Sequence, residues 1–459
     1  MLLLQDAPCG IKTFLKPLEK STGFSQTTRS YIVRLMVGFL FHFGRMSASR
    51  AAEAMPAQGR HRGRVAHFLA TCRWSRDWSE CLWMATLLLE QERKRAGRWV
   101  LILDQTYCSQ QGDKTENTYS CGNRQRRPAK HRRHSKKKYV RRRVHGFVMG
   151  LLLTPSGMRL PISRSYYTKD YCQAKGHSYC TQTEIAAEII RDVPIPDHAE
   201  VVVLGDTAYE AASIRQACLA RGFAWIMPVN PERVLAGPRG QRPKVRTLLE
   251  KLKPEQFVRV RFTPGQGAYA AHRRVSRHRI GPKVKRRTFY VHEERRAVHS
   301  IGMTTLIFSM KEQPKKGQAV AVQKILISNT RLRTSEVVEL YDLRWQIELF
   351  FRELKSTLGV HQYRFRRFDA VETWMQIAIT SVLYLEWYRA RHLRRRNLEE
   401  PGKNWWRRQR AYGLIRAIRQ TAEATELKLL AERLKTPRGR RQVQKQLRSA
   451  HPVEYRAAA

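Results

Sequence analysis

Four short runs rich in Val, Ile and Leu constrain this chain most: RWVLILDQT from Arg98, VHGFVMGLLLT from Val144, EVVVLGDTAY from Glu200 and FAWIMPV from Phe223. Each is short for a helix and too continuously apolar for a strand with one wet face, so each reads as a strand buried on both faces. TQTEIAAEIIRDV from Thr181 and YEAASIRQACLARG from Tyr209 lie between the later runs, with apolar residues at helical spacing. Strands alternating with helices predict an α/β sheet covered on its faces.

The flanking segments differ. From about residue 27 to 95 the chain reads as helical, with YIVRLMVGFLFHFGR apolar all round and SASRAAEAM following a Ser47 cap. Two helices joined by a short turn suit a DNA-reading helix-turn-helix and suit equally a small bundle that touches no groove. Residues 231–320 carry β-prone pieces, FVRVRF, RTFYVH and TTLIFSM, punctuated by Gly and Pro, and read as a β-rich insertion. TSEVVELYDLRWQIELFFRELKSTLG, over 334–358, and DAVETWMQIAITSVLYLEWYRARHLRRR return to helix. The tail beyond 400 reads as charged and helical, ending in a partly disordered basic stretch that includes RLKTPRGRRQ.

The 459 residues hold 87 Lys and Arg against 38 Asp and Glu, a formal charge of +49. Such an excess repels itself unless a polyanion is near, so nucleic acid is the expected partner. Its densest run, RQRRPAKHRRHSKKKYVRRR at 124–143, has twelve Lys or Arg in twenty positions. Lys136, Lys137, Lys138, Arg141, Arg142 and Arg143 are its candidate phosphate contacts, the bland alternative being a solvated tether. A membrane is not expected as partner, since no long apolar span occurs and MLLLQDAPCG has no basic region of a signal peptide. A cytoplasmic protein is expected. The eight cysteines form no Cys-x-x-Cys pair and read as reduced thiols. A zinc site from Cys108, Cys121, Cys172, Cys180 and His177 would match no common spacing.

Asp104 closes WVLILD and Asp206 closes VVVLGD, which puts both carboxylates at C-terminal strand ends, where open α/β sheets bind ligands. Either alone could be a turn former or a helix cap. A third acid comes from the helix expected over 334–358. At about 100° per residue, Tyr341, Arg344, Glu348 and Lys355 fall within about 60° of one another, beside an apolar face of Leu340, Leu343, Ile347, Phe351, Leu354 and Leu358. The alternative is a surface helix laced by Arg344, Glu348 and Arg352 at four-residue spacing.

YDLRWQIELFFRELK resembles the Tyr-Arg-Glu-Lys signature of a large family of bacterial insertion-sequence transposases, in its four residues and their spacing. The resemblance covers roughly residues 98–385. It implies an RNase H-like mixed sheet flanked by helices and interrupted by the β-rich insertion, with Asp104, Asp206 and Glu348 as the catalytic, metal-holding acids. It also implies that Tyr341, Arg344 and Lys355 contact transposon-end DNA, with Arg352 beside them. The domains expected on this basis are a helical DNA-binding domain at 1–97, catalytic parts at 98–230 and 321–395 around the insertion at 231–320, and a basic helical tail at 396–459.

Three hard oxygen ligands suit Mg²⁺, with Mn²⁺ as substitute, in a two-metal site with Asp104 bridging both ions. The implied reaction is hydrolytic nicking at element ends and 3′-hydroxyl attack on target double-stranded DNA, by cut-and-paste, with a dimer pairing two ends near the nucleoid. Tyr341 as a covalent nucleophile is the less favoured chemistry. Some relatives stack a flipped base on a tryptophan of the insertion. Residues 231–320 contain no Trp, leaving Phe289, Tyr290 or Phe308 for that role. The competing functions are a catalytically silent descendant acting as repressor or transposition inhibitor, and a nuclease that cuts without joining.

Overall fold

Trp99–Leu103 are buried in β1 (Arg98–Gln110), an interior strand of the sheet. The computed structural model describes residues 10–22, 24–42, 45–53, 62–72, 79–92, 97–110, 114–123, 140–155, 157–237, 241–262, 286–329, 332–393 and 411–450. The chain divides into two compact units. One comprises Ala85–Ser109 and Asn117–Phe351; the other comprises Met1–Met84, Gln110–Glu116 and Arg352–Ala459.

Among the described residues, the first unit holds a ten-stranded mixed sheet flanked by helices. After β1 come β2 (Tyr119–Asn123), β3 (Val140–Leu153), β4 (Arg159–Tyr166), β5 (Glu200–Leu204), β6 (Ala224–Pro228), β7 (Val258–Phe262), β8 (Arg287–Val298), β9 (Gly302–Met310) and β10 (Lys324–Ser328). Their order is β2-β3-β1-β5-β6-β10-β9-β8-β7, with β4 also paired to β3. β1, β5 and β6 are parallel neighbours, and β10, β9, β8 and β7 continue from β6 in antiparallel pairs. The β-rich region therefore extends the same sheet instead of forming a separate layer, because β10 pairs on one side with the parallel core and on the other with β9.

The four apolar runs become β1, β3, β5 and β6, but two boundaries differ from expectation. β1 runs on for six residues past Asp104. β3 begins inside the basic run, and its Val140–Val144 segment pairs with β2, a strand too polar to stand out in the sequence. The helix Gln182–Asp192 opens with a capping box: the Thr181 hydroxyl accepts from Glu184 N at 3.3 Å, and the Glu184 carboxylate accepts from Thr181 N at 2.7 Å. Its Ile185, Ala186, Ile189 and Ile190 are buried, and it packs on β3 and β4. Gly150 makes this approach possible, since a Cβ there would lie 3.0 Å from Ile189 Cγ2 and 3.2 Å from Leu101 Cδ1.

The second unit is helical. At its centre is Phe368–Tyr388, in which nearly every residue is buried, including Glu372, Thr373, Gln376 and Glu386. Among the contacts that bind this helix to its own unit, Thr373 Oγ1 donates to Leu69 O at 2.6 Å, Trp374 Nε1 donates to Val360 O at 2.9 Å, Cys81 Sγ donates to Gln376 Oε1 at 3.0 Å, and Phe39 packs on Trp374 at 4.7 Å. The helix Gln26–Phe41 is buried from Tyr31 to Leu40, which accounts for its apolar residues on every side. Its Arg34 is fully buried and donates to Ala52 O at 2.6 Å, tying it to the short helix Ala48–Glu53. RLKTPRGRRQ, expected to be partly disordered, is instead the junction between helices Ala411–Leu434 and Pro437–Ala450. Pro437 opens the second of these, at a position where its missing N–H costs nothing. No described helix is long and apolar enough to cross a membrane.

Candidate active site

The parallel register aligns the two aspartates. β1 pairs with β5 up to Ile102 opposite Leu204, and Asp104 and Asp206 each lie two residues beyond that last pair. Both residues thus stand at the same level on neighbouring chain segments, Asp104 within β1 and Asp206 just past the end of β5. Asp206 follows Gly205, where a Cβ would come within 2.7 Å of Met227 Sδ and 2.8 Å of Tyr209 Cβ. Only glycine lets the chain turn so tightly there. Asp206 caps the 3₁₀ turn Thr207–Tyr209, its Oδ1 accepting from Ala208 N at 2.9 Å. The cap alternative thus holds locally, but one carboxylate oxygen in a cap leaves the other available.

The expected single helix over 334–358 is three pieces: Thr334–Asp342, Trp345–Arg352 and a π-helical turn at Glu353–Thr357. Between the first two the chain tightens, with Arg344 N bonding Tyr341 O at 3.0 Å and Gln346 N bonding Leu343 O at 2.8 Å. Tyr341 and Arg344 keep their common side through this break. The buried Tyr341 hydroxyl donates to Gly205 O at 3.3 Å, linking the helix to the loop that carries Asp206.

Arg344 stands between two of the acids. Its Nη1 lies 3.4 Å from Asp104 Oδ2, and its Nη2 pairs with Glu348 Oε1. Asp104 is in addition within electrostatic reach of Asp206. Burial above all lifts the Asp104 carboxyl from its ordinary 3.8 to about 6, the negative charges of Asp206 and Glu348 adding to the rise; the Gln105 N–H and Arg344 pull the other way. The structure thus brings Asp104, Asp206, Glu348, Tyr341 and Arg344 together. With Arg344 interposed, the three carboxylates do not close on one point, and among the described residues no three His, Cys, Asp or Glu side chains do.

The remaining expected residues are not in this group. Arg352 and Lys355 belong to the helical unit, where Arg352 is exposed and Lys355 half-buried. Arg141, Arg142 and Arg143 are in β3 opposite Gly122, Cys121 and Ser120, and Arg143 Nε donates to Thr118 Oγ1 at 2.8 Å. Lys136, Lys137 and Lys138 lie outside the described residues. Of the three aromatics considered for base stacking, Phe308 is fully buried in the sheet and is excluded from that role. Phe289 stacks on Phe262 at 5.8 Å, and the Tyr290 hydroxyl donates to Gln313 Oε1 at 3.3 Å.

Three residues of the site had no clear sequence signal. Lys324, at the head of β10, sets its ammonium 4.7 Å over the Tyr341 ring. Burial, followed by the nearby Arg344 and Lys311, lowers its pKa. Tyr209 is buried beside both aspartates; burial first, then their charges, holds its phenol far above its ordinary range and therefore neutral. Tyr107, three residues beyond Asp104 on β1, is raised by burial and lies within reach of Asp104 and Asp206. The hints available were the Tyr of GDTAY and the Lys that opens KILIS.

The set of donors suits a hard divalent cation: three carboxylates and no sulfur or imidazole, with one arginine to offset their charge. Among curated proteins, no relative matches the chain. The family model described as transposase DDE domain matches residues 95–384, which span parts of both units.

Proposed function

The chain belongs to the transposase DDE domain family, and from that premise we propose that it is a DNA transposase of the insertion-sequence type that carries the Tyr-Arg-Glu-Lys signature. In this reading it binds the ends of its element as a dimer, cleaves them by metal-dependent hydrolysis and joins the 3′-hydroxyl ends to target DNA by cut-and-paste, acting at the nucleoid. The observation that carries it is the common level of Asp104, within β1, and Asp206, just past the parallel strand β5, with Arg344 joining Asp104 to Glu348.

Asp104, Asp206 and Glu348 would hold Mg²⁺ or Mn²⁺. A two-metal site supplies activation of the attacking water or 3′-hydroxyl and stabilises the leaving oxygen. The residues prepare the rest. Asp104, central among the three acids, is the choice for a shared ligand. Arg344 neutralises the acids before DNA arrives and can then turn its guanidinium to a phosphate, a geometry it matches in bidentate fashion. Tyr341, a neutral phenol held under Lys324, orients the helix that carries Glu348 and contacts the DNA near the scissile phosphate. Arg352, Lys355 and the basic run at 124–143, including Lys136, Lys137, Lys138, Arg141, Arg142 and Arg143, would follow the phosphate backbone, and the N-terminal helices would contribute to end recognition.

The test is cleavage of labelled DNA carrying the element's ends, by the native protein and by Glu348→Ala, with DNA binding measured in parallel. The native protein should cut in Mg²⁺. The variant should bind equally well and cut more slowly by more than the roughly 10- to 100-fold typical of outer-shell changes. If both bind and neither cuts, even in Mn²⁺, the protein is a silent DNA-binding descendant. Cutting without joined products makes it a nuclease.

A further inference from the structure

We propose that the tyrosine-rich surface at Tyr166–Tyr179 is a stacking platform for unpaired nucleotides of single-stranded DNA at the flank of the carboxylate edge. The local chain builds this surface. Thr168 caps the helix Lys169–Lys175, Gly176 ends it at φ 69°, and His177 N bonds back to Cys172 O at 3.0 Å. That reversal lays the His177 ring on Tyr167 at 5.0 Å and 9° between planes. Tyr171 completes the stack, 5.5 Å from Tyr167 and 6.0 Å from His177.

Beside this stack, Tyr166 and Tyr179 join through their hydroxyls at 3.1 Å. Lys169 sets its ammonium 5.3 Å from the Tyr179 ring centre, and Lys175 lies 5.8 Å from that of Tyr171. Tyr171 is buried, but Tyr166 and Tyr167 are half-buried, His177 is exposed and Tyr179 is 38% exposed. Tyr166, Tyr167, His177 and Tyr179 therefore present ring surface to solvent. Across 159–179 the charged residues are Arg159, Arg164, Lys169 and Lys175 against Asp170 alone.

The cluster is continuous with the candidate site. Tyr119 meets Tyr166 edge-on at 5.3 Å and Tyr107 at 6.3 Å, and Tyr107 is within reach of Asp104 and Asp206. Flat rings accept the faces of bases, and lysines beside them accept phosphates; together these bind unpaired strands with little regard to sequence. A paired duplex hides the faces that such rings need. The choice of DNA rests on the function proposed above, whereas the stacking itself does not.

Fluorescence anisotropy on the full chain without metal compares a blunt duplex, the same duplex with an unpaired extension of about four nucleotides, and single-stranded RNA of the extension's sequence. The native protein should prefer the extended duplex, and Tyr167→Ala/Tyr179→Ala should lose that preference by about tenfold or more while binding the blunt duplex as before. Tyr167→Phe/Tyr179→Phe should retain it, since stacking needs the ring and not the hydroxyl. Tyr179→Ala alone, at an exposed position, should lose part of it if the double variant fails to fold. Equal native affinity for blunt and extended duplexes, equal losses on both, or a tenfold preference for RNA each overturns the proposal. A preference for the extended duplex in a protein that never cuts its element's ends would leave the platform standing and remove the transposase reading.

Discussion

Asp104 is held at about 6 mainly because burial strips water from its carboxylate, with Asp206 and Glu348 adding negative charge. The sign for stability follows from its ordinary 3.8. A carboxyl whose pKa is raised on folding contributes stability that is fully present below about 3.8 and is lost as pH rises through about 6. The metal-free protein should therefore lose stability across that window. Divalent cations need the ionised carboxylate, so their binding should strengthen as pH rises through about 6, with release of protons. Calorimetric titration of Mn²⁺ at pH 5 and 7.5, in buffers of different protonation enthalpy, checks this. Equal affinities at the two values and no proton release would remove Asp104 from the ligand set.

At the scale of elements, geometry at the site depends on close approaches that glycine permits. Gly205→Ala would push a methyl group into Tyr209 Cβ and Met227 Sδ. The expected cost is about 1–3 kcal/mol, seen as a lower melting temperature, because backbone must shift where side chains alone cannot yield. An unchanged melting temperature would mean that the turn before Asp206 relaxes freely. Asp104, Asp206 and the Tyr341, Arg344, Glu348 spacing were legible because each lies within a local apolar or helical pattern. The break at Leu343 and Arg344 was not, since a few tightened i,i−3 bonds leave the apolar period almost unchanged. β2 and β4 were also hidden, because YSCGN and RLPISRSY lack the continuous apolar character of the core strands. The place of Tyr209 beside Asp104 arises from a contact between segments distant in sequence, and the seat of Lys324 over Tyr341 from one between separate elements, which no local period encodes.

At the scale of the whole molecule, the proposed function gives the excess charge of +49 a consequence for binding to DNA. Affinity should fall steeply with salt, and neutralising Lys136, Lys137 and Lys138 together should weaken binding irrespective of sequence. The salt slope should flatten by up to about 0.9 log unit for each phosphate that is no longer neutralised. Binding isotherms from low to high salt measure this, and a slope identical to that of the native protein would rule out the basic run as a phosphate-binding segment. What the sequence determined by itself was local or additive: the apolar runs that become buried strands, the periodicity of the helices, the spacing of Tyr341, Arg344 and Glu348 and the total charge. Tertiary structure alone decided the register that levels Asp104 with Asp206, the place of Arg344 between Asp104 and Glu348, and the joining of the β-rich region to the parallel core of the sheet. Strand order and register come from pairings between residues far apart in the chain, selected by the burial and hydrogen bonding of the whole sheet, so neighbouring residues carry little record of them.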